Sequence, residues 1–230
     1  MLLPFNFQKD PYLILDFSAT NPDLDSLDLT NTALFTDYVF SKLRAAGAQV
    51  GVGGYNEHRI IYRRSEHFNT TEEPRETHLG IDFWADTGTE VFAPLDGIVH
   101  SFQDNAHFGD YGPTIILEHL SSAAGKPQYL EITQQNAAVF QPRYSLYGHL
   151  TRQSLNGLYE GKEVKAGEKL GEIGAYPENG DWPPHLHFQL MTDMLGLKGD
   201  FPGVCALSDR AKFLAICPNP NELLGIEGLL

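Results

Sequence analysis

From residue 59 onward, short runs of β-branched and aromatic residues alternate with turn-forming residues. Val, Ile, Thr and aromatic side chains suit a pleated sheet, whereas Gly, Pro, Asn and Asp favour turns. The runs predicted to be strands are RIIYRR, GIDFWA, TEVFAPLDGIVHSF, PTIILEHL, YSLYGHL, EKLGEIGAY and HLHFQLM. So many short strands predict a mostly β chain built on an antiparallel sandwich or barrel-like sheet.

One segment near the N-terminus has the period of a helix instead. Apolar residues four apart place Phe35, Val39 and Leu43 on one stripe. We therefore predict a helix through residues 33–47 that is capped by Asp28 or Thr30 and stopped by Gly47.

Glycines cluster at GVGGY, residues 51–55, and indicate a turn and a boundary. We expect three parts: an N-terminal segment with one helix over residues 1–50, a β domain over residues 51–192 and a C-terminal extension over residues 193–230. The two cysteines, Cys205 and Cys217, are expected to be buried small side chains rather than a disulfide framework.

Charge excludes two classes of partner. Sixteen basic and thirty acidic residues give a formal net charge of −14, which argues against binding nucleic acid or anionic lipid. No apolar run reaches the roughly 18 residues of a membrane span, so membrane insertion is not expected. The N-terminus lacks the features of a signal peptide. A cytoplasmic location is therefore expected for the chain as given, and export if a leader has been removed. Protein partners cannot be inferred.

Two histidines stand two residues apart at the start of the last predicted strand. Because successive strand side chains alternate between faces, His185 and His187 point to one face and Leu186 to the other. Both rings can reach one metal ion, or one can bind the metal while the other faces a substrate.

A second cluster is His78-Leu79-Gly80-Ile81-Asp82. In a straight strand its ends would lie about 13 Å apart, too far to share an ion. Gly80 permits a bend between them. We therefore expect His78 on a loop and Asp82 on the strand that follows, converging on one point.

His149 lies at the end of YSLYGHL, where alternation places Tyr147 on the same face. The remaining histidines, namely His58, His67, His100, His107 and His119, lack metal-ligand spacing and are expected on the surface or in hydrogen bonds.

Together the clusters predict a catalytic zinc site. Two histidines and one aspartate are a ligand set that suits zinc. Three protein ligands leave the fourth position open for water. The chain has no HExxH helix, so the spare histidines would act as general base and oxyanion stabiliser.

In order and spacing, HLGID, GTEVFAPLDGIV, LYGHL, EGKEVKAGEKLGEIG and PHLHFQL resemble the lysostaphin-type (LytM-like) zinc metalloendopeptidases of bacteria, over residues 76–191. The resemblance implies a folded antiparallel sheet, a barrel-sandwich hybrid with a duplicated hybrid motif, and Zn²⁺ bound in a groove. It also implies hydrolysis of peptide bonds in peptidoglycan-type or glycine-containing peptides.

By match to the family's motifs, His78, Asp82 and His187 would hold the zinc, and His149 and His185 would assist catalysis. Which of the last two is the base stays open. Tyr147 and Trp182 are candidates to line the substrate groove.

Three features depart from the family pattern. Residues 121–143 are longer than the usual hairpin and are expected to wall the groove, and AYPENGDWPP replaces the usual Gly- and Ser-rich approach to HLH. Most relatives are exported, and no leader is recognisable in the sequence as given, so a location outside the cytoplasm is not expected unless a leader has been removed. GGYNEHRIIY, DYGPTIILEH, ENGDWPPHLHFQL and DFPGV further resemble a peptidase-like domain of larger proteins that also carry an aminotransferase domain and a kinase-like domain. That resemblance leaves the metal chemistry intact and weakens the expectation of a peptidoglycan substrate.

Two alternatives from other classes remain. The domain could bind zinc or a cell-wall-like ligand as a non-catalytic regulator or scaffold. A phosphotransferase carrier domain would also use paired histidines, but it does not need the aspartate of HxxxD.

Overall fold

The computed structural model describes residues 1–68, 73–119 and 142–229. Within them the chain is mostly β, as predicted, with a helix on the N-terminal side. The strands are β1 (Tyr12–Leu15), β2 (Val50–Gly53), β3 (Arg75–His78), β4 (Ile81–Trp84), β5 (Glu90–Phe92), β6 (Gly97–Asn105), β7 (Gly112–Glu118), β8 (Tyr144–Gly148), β9 (Glu163–Val164), β10 (Lys169–Glu172), β11 (His185–Met191) and β12 (Val204–Ala206). The α-helices are α1 (Thr32–Ala46), α2 (Arg210–Ile216) and α3 (Asn221–Leu224). The expected groove wall, 121–143, lies almost wholly outside the described residues.

Eight strands form one sheet in the order β1-β2-β4-β11-β8-β7-β6-β9. The β1–β2 pair is parallel, whereas the other described pairs are antiparallel. The sheet is therefore mixed, and its one parallel pair became possible because α1 connects the two strands as a crossover. Strands β5 and β10 form a small second sheet, and β3 pairs with β12 in a third.

Helix α1 packs the predicted stripe of Phe35, Val39 and Leu43 into the interior. Its N-cap is Asn31, not the expected Asp28 or Thr30, because the Asn31 side chain accepts hydrogen bonds from the first free N–H groups of the helix. Gly47 ends the helix as predicted, in the left-handed conformation with φ 62°.

Two local predictions were wrong. The run RIIYRR is not a strand, since Ile60–Arg64 forms a 3₁₀ helix. The glycine-rich GVGGY is not simply a turn, since Val50–Gly53 is β2 inside the large sheet. Close packing explains the glycines there: a Cβ on Gly51 would lie 2.6 Å from Leu15 Cδ1, and one on Gly53 would lie 2.7 Å from Arg59 Nη2.

Three apolar clusters fill the interior. The largest follows the eight-stranded sheet and includes Phe83, Phe188 and Leu2. A second lies under α1 and contains Trp84 and Trp182, and a third packs against α2. The division at residues 50 and 192 stays a prediction. Both flanking segments pack on the β domain, because Leu2 belongs to the largest apolar cluster and β12 pairs with β3.

The described parts of the chain hold no helix with both the length and the apolar character needed to cross a bilayer. Cys205 and Cys217 are free thiols in the interior. Burial raises the pKa of Cys205 to about 11 and that of Cys217 to about 12, so both stay protonated near neutral pH.

Candidate metal centre and cleft

Three strands deliver the side chains of the predicted ligand set. In the β4–β11 pair, His187 is the direct cross-strand partner of Asp82. His78 ends β3, so it lies on a strand rather than on the predicted loop. The chain turns at Leu79 and Gly80 before β4 begins, which brings His78 back beside Asp82.

Gly80 has a stricter role than permitting the bend. A Cβ at this position would lie 2.7 Å from the Phe188 carbonyl oxygen and 2.8 Å from both Cε1 and Nε2 of His187. Those separations are shorter than van der Waals contact, so only glycine lets the His187 ring pack against the turn.

The three donor atoms form a compact triangle. His78 Nε2 lies 3.0 Å from His187 Nδ1 and 3.2 Å from Asp82 Oδ1, and His187 Nδ1 lies 3.0 Å from the same oxygen. Tetrahedral zinc with ligand bonds of about 2.0–2.1 Å places neighbouring donors roughly 3.3 Å apart. The triangle therefore has nearly the size of one face of a zinc coordination tetrahedron, and the three residues can hold a metal ion.

Hydrogen bonds on the far side of each imidazole select its tautomer. His78 Nδ1 donates to the Gly54 carbonyl oxygen over 2.8 Å, which leaves Nε2 with a free lone pair. His187 Nε2 donates to Gln189 Oε1 over 2.9 Å, which leaves Nδ1 free. The nitrogens that face the triangle are thus the ones with lone pairs, as metal binding requires.

Asp82 is 3% exposed and pairs with a buried arginine. Its Oδ2 accepts from Arg59 Nη1 at 2.5 Å, while Oδ1 faces the triangle. Burial alone would raise the pKa of Asp82, but His78 and Arg59 hold it well below its usual value. The carboxylate is therefore ionised at neutral pH and available as a ligand.

His149 and His185 lie beside each other, with ring centroids 4.1 Å apart. His185 also stacks on Trp84, with centroids 4.1 Å apart and planes at 16°. His149 follows β8 in the left-handed conformation, with φ 64°. Its ring centroid is 6.4 Å from that of His187, so the structure brings all five predicted histidine and aspartate side chains together.

Both of these histidines are neutral at pH 7. Burial lowers the pKa of His185 to about 4, and burial together with neighbouring His185 lowers the pKa of His149 well below its usual value. His149 Nδ1 donates to the Asn179 carbonyl oxygen over 2.7 Å, and His185 Nδ1 donates to that of Pro183 over 2.8 Å. Each ring consequently keeps Nε2 as a proton acceptor.

A cleft opens over the triangle and holds about 110 Å³ of water-accessible space, enough for several water molecules or a short piece of peptide. Trp182 lines it, as predicted for a groove residue. Tyr147 does not, and this expectation is corrected: the ring is fully buried in the main core. The positive φ at His149 breaks the strand alternation that had placed the two residues on one face.

The segment that replaces the family's usual approach to HLH contributes Trp182 to the lining of the cleft. Asn179 is fully buried, and its side-chain amide donates to the carbonyl oxygens of Gly174 and Trp182. Its Oδ1 accepts from Trp182 N. One asparagine therefore holds this loop, aims its own carbonyl at His149 and fixes Trp182 in the cleft.

Four polar side chains around the site were not predicted from the sequence: Arg59, Tyr111, Asn179 and Gln189. Gln189 could have been found, because it follows His185 and His187 on the same strand face. Tyr111 lines the cleft with Oη 3.5 Å from His187 Nε2, and no sequence pattern links it to the histidines. Arg59 lies in a run that resembled a strand, and only the fold places it against Asp82.

No protein-family model matches the chain, and no curated protein matches it. Several solved structures do match it in fold. The catalytic domain of lysostaphin from Staphylococcus simulans aligns at 24% identity over 65% of this chain and 80% of its own length, with a TM-score of 0.38. A putative M23 peptidase from Pseudomonas aeruginosa aligns at 19% identity over 67% of this chain and 48% of its own, with a TM-score of 0.37.

A zinc-containing peptidase from Vibrio cholerae aligns at 23% identity over 50% of this chain, with a TM-score of 0.33. The chain spans 27% of that protein's length and about half that of the Pseudomonas protein. Fusion to an aminotransferase domain stays a prediction. In its described parts, the chain is a mostly β domain similar to solved structures of lysostaphin- and M23-type peptidases, the type that its motifs resemble.

Proposed function

We propose that this protein is a zinc-dependent metallopeptidase that hydrolyses peptide bonds. The observation that carries the proposal is the buried triangle of His78 Nε2, Asp82 Oδ1 and His187 Nδ1, with two neutral histidines beside it in one cleft. A buried ion-pair network without a metal would not require both imidazoles to turn a nitrogen lone pair toward the Asp82 carboxylate. A purely structural zinc site would have a fourth protein ligand, and among the described residues no fourth donor joins the cluster.

His78, Asp82 and His187 would hold the zinc through one nitrogen or oxygen each. When bound there, zinc polarises a carbonyl and acidifies a water molecule. The donor set fits that role because it combines imidazole and carboxylate and leaves one face of the triangle toward the cleft.

His149 and His185 would handle the protons of the reaction. A neutral imidazole accepts a proton at Nε2 from the attacking water, and the imidazolium that results then gives that proton to the leaving amine. The second imidazole can stabilise the oxyanion of the tetrahedral intermediate only while it holds a proton on Nε2, and the imidazolium beside it would be the source of that proton. The Asn179 and Pro183 carbonyls keep both rings oriented throughout.

For the substrate we propose peptidoglycan-type or other glycine-containing peptides. The motif resemblance supports this class, and the narrow cleft beside Trp182 supports a strand-like peptide with small side chains near the cleaved bond. A glycine on each side of that bond would let the backbone approach the buried donors closely.

The test is hydrolysis of a pentaglycine-containing peptide and of peptidoglycan fragments by the zinc-loaded protein, with and without a chelator. We expect cleavage that the chelator abolishes and added zinc restores. His187→Ala should lose both zinc and cleavage, whereas His149→Ala should keep zinc and lose roughly 10²–10⁴-fold in kcat.

Metal content measured on the same samples separates the alternatives. Bound zinc without cleavage of any peptide would point to the non-catalytic binding domain. A protein that binds no zinc even at saturating metal would instead favour the phosphotransferase carrier domain. His58→Ala serves as the control, because its side chain is half exposed and pairs with Glu76, which is not one of the three candidate ligands.

A further inference from the structure

Arg59 is a cation with no access to solvent, and it lies directly behind the metal triangle. Its side chain is 0% exposed. Nη1 donates to Asp82 Oδ2 at 2.5 Å, Nη2 to the Gly54 carbonyl oxygen at 3.0 Å and Nε to Glu57 Oε2 at 2.6 Å. A buried guanidinium is costly unless its donors are satisfied, and here each of its three nitrogens has an acceptor.

One of these acceptors belongs to a candidate metal ligand, and a second one also accepts a hydrogen bond from a candidate ligand. Asp82 Oδ2 is the oxygen that does not face the triangle, so the guanidinium occupies it and leaves Oδ1 alone for a metal. The Gly54 carbonyl oxygen also accepts from His78 Nδ1. One planar side chain therefore braces the carboxylate ligand and the carbonyl that selects the tautomer of His78.

We propose that Arg59 is the positioning residue of the metal centre, which holds Asp82 as a one-oxygen ligand and keeps His78 turned so that Nε2 binds the metal. The proposal rests on the zinc site of the proposed function. Freed from Arg59, Asp82 could turn and offer both oxygens, so that a metal with water in its open position would have five donors instead of four.

Charge repulsion between Arg59 and a metal ion would weaken metal binding, so by this effect alone removing Arg59 would raise the metal affinity. Glu57 lies 2.6 Å from Arg59 Nε, and its second oxygen accepts from Phe17 N at 3.2 Å. The Glu57–Arg59 pair is therefore neutral overall, which leaves little net repulsion of a cation. Orientation of Asp82 is then the larger effect, and loss of Arg59 should weaken metal binding.

The experiment compares the full-length protein with Arg59→Met and Arg59→Lys. Zinc affinity is measured by competition with a chromophoric chelator, and coordination by the visible absorption of the cobalt(II) form, which is strong for four-coordinate and weak for five- or six-coordinate cobalt. Loss of a residue that orients a metal ligand costs about 10–100-fold in metal affinity, so we expect that drop and weaker absorption in Arg59→Met.

Arg59→Lys keeps the charge but replaces three donor nitrogens in a fixed plane with a single ammonium nitrogen, and it should recover part of the affinity and the strong absorption. Arg63→Met is the matched control, since Arg63 is exposed and pairs with Glu76 instead of a metal ligand. Should Arg59→Met fail to fold, Arg59→Lys alone decides, because one ammonium cannot brace both acceptors and affinity should fall by several-fold.

Affinity within twofold of wild type and an unchanged cobalt spectrum in every folded Arg59 variant would overturn the proposal. No measurement in this series uses peptide cleavage. A wild-type protein that binds zinc but cleaves nothing would therefore reject the peptidase and leave the role of Arg59 standing.

Discussion

Backbone carbonyl oxygens decide what the histidines of this site can do. The oxygens of Gly54, Asn179 and Pro183 accept from Nδ1 of His78, His149 and His185, respectively. A carbonyl can only accept, so each contact fixes a proton on Nδ1 and leaves Nε2 as the reactive atom. His187 differs because Gln189 accepts from its Nε2, and its metal-facing atom is therefore Nδ1.

Gly80→Ala tests how tightly the His187 ring is packed. The added Cβ would lie 2.8 Å from two ring atoms, and the ring cannot yield because Gln189 holds its far side. We expect a loss of roughly 1–3 kcal/mol in the free energy of unfolding and at least a tenfold loss of zinc affinity. Denaturant titration and chelator competition measure the two effects.

Gly54→Ala is the control for this substitution, since its Cβ would meet only Glu57 Cβ at 4.0 Å, an ordinary contact. Equal zinc affinities for Gly80→Ala and Gly54→Ala would show that the turn does not constrain the ring.

At the scale of elements, neighbouring strands and one loop bring the two halves of the site together. The β4–β11 register sets His187 opposite Asp82 and His185 opposite Trp84. The loop over residues 174–182 then closes one side and orients His149. The candidate metal ligands therefore lie on strands, whereas the orientation of His149 depends on a loop.

Asn179→Ala tests that division of roles. Removing the amide breaks three hydrogen bonds to Gly174 and Trp182 and leaves buried backbone groups unpaired, which costs roughly 1–3 kcal/mol for each unsatisfied group. Zinc affinity should stay within about twofold, because no ligand lies on the loop, while kcat should fall on the order of tenfold or more. Steady-state kinetics alongside zinc titration would check both.

The exposed Asn156→Ala is the comparison variant, because its side chain lies outside this loop. A parallel loss of zinc affinity and kcat in Asn179→Ala would mean that the loop supports the metal site as well.

Across the whole molecule, burial of neutral histidines ties folding stability to pH. Burial lowers the pKa of His78 and of His185 to about 4, against about 6.5 for an unfolded histidine. Between those pH values the unfolded chain binds more protons than the folded one, so the free energy of unfolding decreases as pH falls.

For the metal-free protein we expect each of these two histidines to lower the free energy of unfolding by roughly 2–3 kcal/mol between pH 7 and pH 4. Urea unfolding at several pH values in the presence of chelator measures this dependence. His185→Gln should flatten the profile, because glutamine does not titrate. A stability that is equal at pH 7 and pH 4.5 would contradict the burial of these rings in neutral form.

Much of the β architecture was predictable because it follows from local patterns of residue type along the chain. Strands β4, β5, β8, β10 and β11 fall within the predicted runs, β6 and β7 overlap theirs, and the buried stripe of α1 follows from its helical spacing. Five strands were missed: β2 contains glycines that resemble a turn, and β1, β3, β9 and β12 have two to four residues each, too few for a pattern. Their pairing depends on distant partners rather than on local propensity.

By itself, the sequence determined which side chains are candidates for the site, since residue type and strand alternation are local properties. Two histidines share one strand face, and a glycine lies between a histidine and an aspartate. Only the tertiary structure decided that Arg59 lies behind Asp82, that Tyr147 belongs to the core and that Asn179 orients His149. Arg59 and Asp82 are 23 positions apart, and Asn179 and His149 are 30 positions apart. The separation of Tyr147 from the cleft depends on the positive φ of His149. Local spacing carries no information about which distant segments pack together, because that is decided by burial of the whole chain.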